Sequence, residues 1–445
     1  MAHIQYNDYY KHMLISGRIP VPYPNRSPYV QSTPNLCNSN CGKGQIDVIT
    51  GSGAFVLDQT CDQYYPWNIQ YNSYFTGTPQ GFGRPFGDQT GTDPCLDPCL
   101  DPCLDPCLTY PYQDPSCGLN FVKISLVSNI PDCGRYIDCN LCDPWEIIFI
   151  NDTIWTSNSG TGTITKYNLL GMPISQPINV FGPCCNTAQP TGIACNYNPN
   201  AFPLIKGPVC EISTIIIATR DGTINGYNCD IDSTNSAILI DRSMCNCVYT
   251  GVEIFNDVLY AVDFYNQCID VFDSTFVKIM PGGFIDCCIL DPIPCDFSPY
   301  NIIRIVDVFY VTYARQNPLD NQYELLGIGN GYINIFSLDG IFIRRFASRE
   351  CLNTPWGLTL APSSFGYPSG SILVSNFGDN TIGVYGPNGN YIGKVKDKNY
   401  NNICIQGIRA LCTNPIQNNN IVYWSSRSDN LSKAYVGTLD TMRLF

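Results

Sequence analysis

The sequence predicts an all-β fold, a six-bladed β-propeller that carries an extended N-terminal arm rich in Cys, Pro and Tyr. From residue 121 onward, short β-branched and aromatic runs alternate with Gly, Asn and Asp turns, a pattern typical of short antiparallel strands. Two different sequence strings each recur six times in this region, at steps of about 50 residues. That step is the length of one four-stranded propeller blade.

The repeat strings place the blades. One string joins a turn to a strand with an aromatic end, and it occurs at 162–168, 222–228, 268–273, 331–336, 380–385 and 432–437. The other lies upstream of it, at 144–147, 190–193, 249–252, 299–302, 355–358 and 405–408. Six radial repeats favour a propeller, since this arrangement leaves few exposed sheet edges. Phe121–Val127 is an isolated strand, and we expect it to close the ring by completing the last blade beside Ser432–Leu439.

The domain organisation follows from these limits: residues 119–445 form the propeller and residues 1–118 form the arm. The arm ends in the tetrapeptide Asp-Pro-Cys-Leu, which occurs four times over 93–108. Proline at every fourth position is incompatible with a helix interior, so this segment should be a series of turns or an extended ribbon.

Composition excludes several classes of function. The chain has 445 residues with a formal net charge of −13, which argues against a general nucleic-acid binder. It has no apolar run of about 18 residues, so no membrane span is expected. The first residues lack the basic flank and apolar core of a secretory signal, so either the chain is matured and its leader is missing or it is made in the cytosol, and Met1 favours the second.

The 25 cysteines conflict with that expectation, because abundant disulfides are typical of oxidising compartments. Their odd number leaves one thiol for a bond between subunits. A zinc cluster in the arm and free thiols in a low-complexity linker are the alternatives to disulfides. The candidates for disulfides or assembly contacts are Cys37, Cys41, Cys61, Cys95, Cys99, Cys103, Cys107, Cys117 and the adjacent pairs Cys184, Cys185 and Cys287, Cys288.

The only histidines, His3 and His12, lie in the arm, so a histidine-based catalytic triad in the propeller is excluded. We assign no catalytic residues and expect no cofactor. The upstream strings should begin the innermost strands and line one mouth of the central channel. The channel-mouth candidates are Trp145, Glu146, Thr191, Thr250, Glu253, Tyr300, Asn301, Trp356, Gln406 and Arg409.

The channel-mouth candidates allow two chemistries. Glu146, Glu253 and Asn301 supply oxygen ligands of the kind that Ca²⁺ prefers, which makes them weak calcium candidates. Alternatively, Arg409 pairs with one glutamate and water fills the channel. The tryptophans are either propeller core or a platform for a sugar.

Residues 121–440 resemble an uncharacterised family of NHL-like six-bladed β-propeller proteins found in bacteria and in mimivirus-type giant viruses. The resemblance rests on Leu126–Pro131, Ala218–Ile224, Ala261–Asn266, Ile269–Asp273, Asn353–Pro362 and Gly370–Ile382. It implies a six-bladed propeller and no established activity. The chain departs from the family in Glu146, where glycine is usual, in its many cysteines, and in its arm.

The resemblance also bears on the compartment of the protein. Giant viruses resemble other large cytoplasmic DNA viruses in carrying thiol oxidases that bridge virion proteins in the cytosol. We therefore expect a non-enzymatic structural protein of a giant virus, located in the virion or an extracellular particle. It would self-assemble as a homo-oligomer, through its arm and disulfides, into a virion-associated, filamentous or tubular particle. The alternative is a calcium-dependent hydrolase or lyase, or a glycan-binding propeller, that acts at the channel mouth.

Overall fold

The computed structural model describes residues 120–130, 134–279, 283–286, 291–397, 399–415, 421–428, 431 and 433–442, together with two short strands of the arm. Six antiparallel sheets surround a central axis, which confirms the predicted six-bladed β-propeller. Three short 3-10 turns are the only helical segments in these ranges. None of the described helical segments is long and apolar enough to cross a membrane.

Each blade begins with its innermost strand, and these first strands contact one another around the axis. The strands of blades 1 and 2 are Pro144–Ile150, Thr153–Asn158, Thr163–Asn168 and Ile178–Asn179, then Pro190–Cys195, Ile215–Thr219, Thr223–Tyr227 and Ala237–Asp241. Those of blades 3 and 4 are Tyr249–Phe255, Val258–Asp263, Cys268–Phe272 and Lys278–Ile279, then Phe297–Ile305, Val308–Asn317, Gly331–Phe336 and Phe342–Ser348. Those of blades 5 and 6 are Pro355–Leu360, Ile372–Asn376, Thr381–Tyr385 and Tyr391–Lys394, then Leu411–Thr413, Ile421–Arg427, Ala434–Met442 and Asn120–Ser128.

The ring is closed by a strand from each end of the propeller. Asn120–Ser128 pairs antiparallel with Ala434–Met442 along its whole length, as the sequence predicted. Tyr136–Ile137 then adds a short parallel strand at the outer edge of blade 6. Because closure is made by backbone hydrogen bonds, the first and last blades cannot separate without breaking a sheet.

Two hairpins interrupt the regular pattern. In blade 2, Pro203–Lys206 pairs with Val209–Ile212, and in blade 4, Asp320–Glu324 folds back on Val308–Asn317. In the arm, Phe55–Val56 pairs with Gln31–Ser32. The Asp-Pro-Cys-Leu repeat lies outside the described residues.

The hydrophobic core lies between the blades and consists of six clusters, one for each interface between neighbouring blades. For example, Ile164 of blade 1 packs with Ile217 of blade 2. Both faces of each sheet are therefore buried, which explains why Ile215–Thr219 is buried at every position. Each fully buried aliphatic side chain contributes about 1.5–3 kcal/mol.

Candidate functional site

Side chains near the axis connect each blade to the next by a hydrogen bond to a backbone carbonyl. These bonds are worth about 0.5–1.5 kcal/mol each. In order around the ring, they run from Ser157 to Thr191, Thr191 to Tyr249, Thr250 to Tyr300, Asn301 to Trp356, Ser375 to Arg409, and Ser425 to Trp145. The inner strands are thus locked into one register around the axis.

Further hydrogen bonds to the same serines identify the residue that a blade presents to the axis. The N–H groups of Glu146, Gly357 and Ala410 each donate to a serine Oγ at 2.8–3.0 Å. The preceding residues are therefore equivalent in position. These axial residues, called here the axial ring, are Trp145, Thr191, Thr250, Tyr300, Trp356 and Arg409, and all are buried.

The axial ring fills the channel. The Trp145 ring lies edge-on to Trp356 at 5.8 Å and to Tyr300 at 6.3 Å, so blades 1, 4 and 5 meet across the axis. The Arg409 guanidinium stacks on Trp145 at 3.5 Å and donates to the Tyr300 hydroxyl at 3.1 Å. Both tryptophans are consequently propeller core rather than a sugar platform.

On one side of the axial ring lies a cluster of charged groups. Arg427 pairs with Asp143 at 3.1 Å, and Arg409 lies 3.8 Å from the same carboxylate. Glu324 reaches this cluster from the inserted hairpin of blade 4. Burial alone would raise the pKa of Glu324, but Arg409 and Arg220 outweigh burial and hold that pKa below its usual range. This end of the axis is closed by paired charges.

On the other side of the axial ring lies a cavity of about 470 Å³, lined by the inner strands of all six blades. Trp356 of the axial ring lies at its inner end, as does Asn301, which follows the axial-ring residue Tyr300. Because the axial ring blocks the channel, this cavity is open at one end only. Its walls are mainly aliphatic and include Ile148, Ile303 and Leu411.

Two carboxyl groups lie in this aliphatic wall. Glu146 Oε1 accepts a hydrogen bond from the Ile147 N–H at 3.1 Å, and Glu253 accepts from the N–H groups of Ile254 and Arg304, both at 3.1 Å. Burial raises the pKa of Glu146 to about 8, and the nearby Glu253 contributes to the rise. Burial also raises the pKa of Glu253. Near neutral pH, Glu146 is therefore mostly uncharged.

Two thiols and a phenol share the same cavity. Burial raises the pKa of Cys195 to about 11 and that of Cys412 well above its usual range. Partial desolvation of its hydroxyl group also raises the pKa of Tyr197, although most of the side chain is exposed at the rim. These groups stay protonated near neutral pH, so the cavity carries little charge. Thiols in such an apolar setting are poor nucleophiles.

The structure places the sequence candidates in two groups. Glu146, Glu253, Asn301 and Trp356 line the cavity, whereas the other axial-ring residues fill the channel instead of lining an open mouth. Gln406 belongs to neither group. The string that begins the inner strand of blade 6 is 408–411, three residues later than the sequence suggested, so Arg409 takes the axial position.

Several residues at the axis were not found from the sequence. Asp143 immediately precedes the first string, and Glu324 comes from a hairpin that interrupts the repeat. Arg427 and Cys412 lie in blade 6, where the string was placed three residues too early. Correct placement of blade 6 would have revealed Cys412 as a cavity residue. Nothing in the sequence pattern indicates that Glu324 reaches the axis.

The oxygens of the calcium candidates accept backbone hydrogen bonds. The side-chain oxygens of Glu146 and Asn301 each accept the N–H of the following residue, at 3.1 and 2.9 Å, and Glu253 accepts two backbone N–H groups. Ca²⁺ usually takes six or more oxygen ligands. These three side chains together supply fewer oxygens than that, so the calcium assignment stays a prediction.

One group of possible metal ligands does converge, in blade 3. Ligand atoms of Cys247, Asp263 and Asp270 lie within 4.8 Å of one another. However, Asp270 pairs with Arg242 at 3.2 Å and with Lys278 at 3.0 Å. These cations already compensate the buried charge. The group is thus explained as a buried ion-pair network and does not fit a cation site.

The described cysteines provide a partial view of the disulfide candidates. Of the candidates, only Cys184 and Cys185 lie in the described ranges, and Cys185 is disulfide-bonded, as is Cys404. Other propeller cysteines, among them Cys139, Cys195 and Cys412, are free thiols. A propeller made rigid by many disulfides is therefore not supported, and the arm cysteines stay a prediction.

Comparison with known proteins gives relatives in a giant virus. No protein-family model matches the chain. Three uncharacterised proteins of Acanthamoeba polyphaga mimivirus are similar to it. R640 is 45% identical over 71% of this chain and 58% of its own length, R648 is 35% identical over 69% and 77%, and L690 is 34% identical over 71% and 84%. The chain thus spans little more than half of R640.

Solved structures are similar in fold alone. The WD40 β-propeller domain of Doa1 is 11% identical over 66% of this chain and 93% of that chain, with a TM-score of 0.39. A streptogramin B lyase structure is 12% identical over 73% and 98%, with a TM-score of 0.39. We draw nothing about activity from these likenesses. The sequence relatives are closer, and the chain belongs to a family of uncharacterised mimivirus proteins that includes R648 and L690.

Proposed function

We propose that this chain is a non-enzymatic structural protein of a giant virus. It self-assembles as a homo-oligomer through its N-terminal arm and through disulfides, into a virion-associated, filamentous or tubular particle. The mimivirus relatives support the viral setting. The proposed location is the virion or an extracellular particle, after synthesis in the host cytoplasm.

The observation that carries this proposal is a group of exposed apolar side chains on blades 1 and 6, beside the far end of the strand that follows the arm. Ile137 and Leu170 are each 55% exposed, and Met172 and Ile174 are also exposed. The Leu170–Ile174 loop packs on blade 6, because a Cβ added at Gly171 would lie 2.7 Å from the Cβ of Leu126. This surface, called here the seam patch, consists of Ile137, Leu170, Met172 and Ile174. Exposed apolar groups of this kind commonly mark protein–protein contacts.

The seam patch lies beside the strand Asn120–Ser128, which directly follows the arm. The arm leaves at Asn120, the other end of this strand, so it can run back along the blade to the patch or reach the patch of a neighbouring copy. Cys139 is an exposed free thiol two residues from Ile137. A disulfide at Cys139 could therefore link copies at the same surface.

The rest of the fold suits a rigid building block. The ring is closed by strand pairing, and the axis is filled by the axial ring. Such a body keeps its shape when force is applied through one edge. This argument supports the structural proposal because a particle needs subunits that do not deform.

Light scattering of the purified full chain tests the proposal. We expect particles larger than a monomer, and we expect the double variant Met172→Asp, Ile174→Asp to shift the population toward monomer. Leu319→Asp is the control, since Leu319 is 94% exposed but lies on blade 4. A wild-type chain that is monomeric with and without reductant would contradict self-assembly.

The second candidate is a calcium-dependent hydrolase or lyase, or a glycan-binding propeller, at the channel mouth. The cavity at the axis favours some ligand, but its carboxyl and amide oxygens already accept backbone N–H groups. Titration calorimetry with CaCl₂ separates the two candidates. Calcium binding that is lost in the Glu146→Gln, Glu253→Gln double variant, while assembly persists, would favour the second candidate.

A further inference from the structure

The Glu146 carboxyl group lies in the cavity wall without a cationic partner, whereas several other acids of this chain have one. Asp270 pairs with Lys278, Asp379 with Lys394 at 3.4 Å, and Asp286 with an arginine. Glu146 and Glu253 make no ion pair within the residues that the structure describes. Burying an acid in an aliphatic wall without a cation is costly, and structures seldom retain it without compensation.

We propose that the cavity binds an aliphatic chain that ends in a primary ammonium group. The ammonium provides a cation for Glu146, and the aliphatic chain contacts the apolar wall. This inference is independent of self-assembly, because it concerns the axis and not the seam patch.

The size and walls of the cavity suit such a ligand. A volume of about 470 Å³ falls in the range of small-molecule sites. Ile148, Ile303 and Leu411 supply apolar contacts, and Tyr197 and Val306 are exposed at the rim, where the ligand would enter. Because the axial ring closes the inner end, a ligand enters and leaves by the same mouth.

The hydrogen-bonding state of the carboxyl groups favours Glu146 as the main ammonium partner. Both oxygens of Glu253 already accept backbone N–H groups. Glu146 uses Oε1 for the Ile147 N–H, and its Oε2 makes no hydrogen bond to the described residues. An ammonium has three donors and no acceptor, so it can bond Oε2 and leave the existing bonds intact.

The charged and titratable groups around Glu146 do not supply a cation. Glu253 of blade 3, Cys195 and Tyr197 of blade 2 and Cys412 of blade 6 share the cavity, and all are neutral or acidic. Arg304 of blade 4 also lines the cavity, and its charge lowers the pKa of Glu253 but is not among the groups that shift the pKa of Glu146. Its guanidinium bonds the Val306 carbonyl at 3.0 Å and lies over the Phe255 ring at 5.3 Å. Arg304 is therefore engaged at the rim.

Binding moves one proton. Near neutral pH, Glu146 holds a proton because burial raises its pKa to about 8. When the ammonium binds, Glu146 releases this proton to solvent and pairs as a carboxylate. Affinity should therefore rise as the pH increases from 6 to 8, where the free carboxyl group ionises on its own, while the amine stays charged.

Two sources share this chemistry, a lysine side chain of a protein and a free alkylamine. The test is titration calorimetry of the full chain with n-hexylammonium chloride and with Nα-acetyl-lysine amide. Hexan-1-ol, which has the same chain without the charge, is the third probe. If Nα-acetyl-lysine amide binds with higher affinity than n-hexylammonium, the natural ligand is a lysine side chain of a protein. If n-hexylammonium binds with higher affinity, the natural ligand is a free alkylamine.

We expect saturable binding of at least one amine, with affinity at least tenfold above that of hexan-1-ol and at least tenfold lower in Glu146→Gln. Gln keeps the acceptor for the Ile147 N–H, so the variant should fold. Glu211→Gln, at an exposed position of blade 2, is the matched control and should bind like wild type. The proposal is overturned if neither amine binds, if hexan-1-ol binds as well as the amines, or if affinity is unchanged in Glu146→Gln. The comparison of hexan-1-ol with the amines uses wild-type protein alone and does not depend on the variant.

Discussion

The two ends of the propeller axis handle buried acidic groups in opposite ways. At the closed end, Asp143 and Glu324 lie among Arg409 and Arg427, and the arginines keep the pKa of Glu324 low. At the open end, Glu146 lies in an aliphatic wall without an ion pair, and burial raises its pKa to about 8. The same residue type is thus a structural anion at one end and a neutral acid at the other.

This difference shows how the fold divides its tasks along the axis. Paired charges and stacked rings at the closed end hold the blades together, since removing one partner would strand a buried charge. The unpaired carboxyl groups at the open end contribute little to cohesion near neutral pH. Glu146 is available to a ligand because no described cation acts on it, whereas the charge of Arg304 partly compensates Glu253.

The largest expected effect is at the closed end. Arg409→Met removes the cation between Asp143 and Tyr300 and the stacking on Trp145. We expect the free energy of unfolding to fall by about 3–5 kcal/mol, the usual cost of breaking a buried pair. Urea denaturation followed by tryptophan fluorescence measures it. Arg409→Lys, which keeps the charge, should lose less, and equal losses would show that stacking and not charge holds this end.

A smaller effect is expected between the two ends, where the inner strands pack closely. A Cβ added at Gly357 would lie 2.4 Å from the Arg409 carbonyl oxygen, so the backbone of blade 6 must move. Gly357→Ala should lower the free energy of unfolding by about 1–3 kcal/mol, as overpacking does. Gly182→Ala is the control, because its added Cβ would meet ordinary contacts at 3.5 Å. A Gly357→Ala protein as stable as wild type would argue against tight packing of blades 5 and 6.

A third effect is expected at the open end, and it depends on pH. The pKa of Glu146 is raised from 4.5 to about 8, so the folded state holds a proton that the unfolded chain releases. Below pH 4.5, Glu146 makes its full contribution to the free energy of unfolding. This contribution is lost as the pH rises toward 8, and the free energy of unfolding then falls by at most about 1.4 kcal/mol per pH unit. Urea denaturation from pH 5 to 8.5 should show a shallower decline in Glu146→Gln than in wild type. Glu211→Gln should follow wild type, and an unchanged slope in Glu146→Gln would refute the raised pKa.

Much of the fold could be predicted because it depends on local pattern. Blade number follows from two strings that recur at one step, and ring closure follows from one unmatched strand at 121–127. The placement of the repeat string in blade 6 was wrong because 405–408 and 408–411 have the same pattern: an apolar residue, two intervening residues and another apolar residue. Only the bond from the Ala410 N–H to Ser425 selects the second frame. A hydrogen bond between neighbouring strands leaves no mark in a single strand's sequence.

The sequence by itself determined which residues lie near the propeller axis, but not what each of them does there. It identified Trp145, Glu146, Trp356 and Arg409 as axial or cavity residues, because innermost strands of a propeller converge on the axis. The tertiary structure decided that Arg409 and the tryptophans fill the channel, and that Glu146 faces an aliphatic cavity with no cation near it. It also brought Glu324 to the closed end from an inserted hairpin. These outcomes depend on which side chains from six separate blades meet at one point, so they follow from packing and from the burial of charge rather than from any local run of residues.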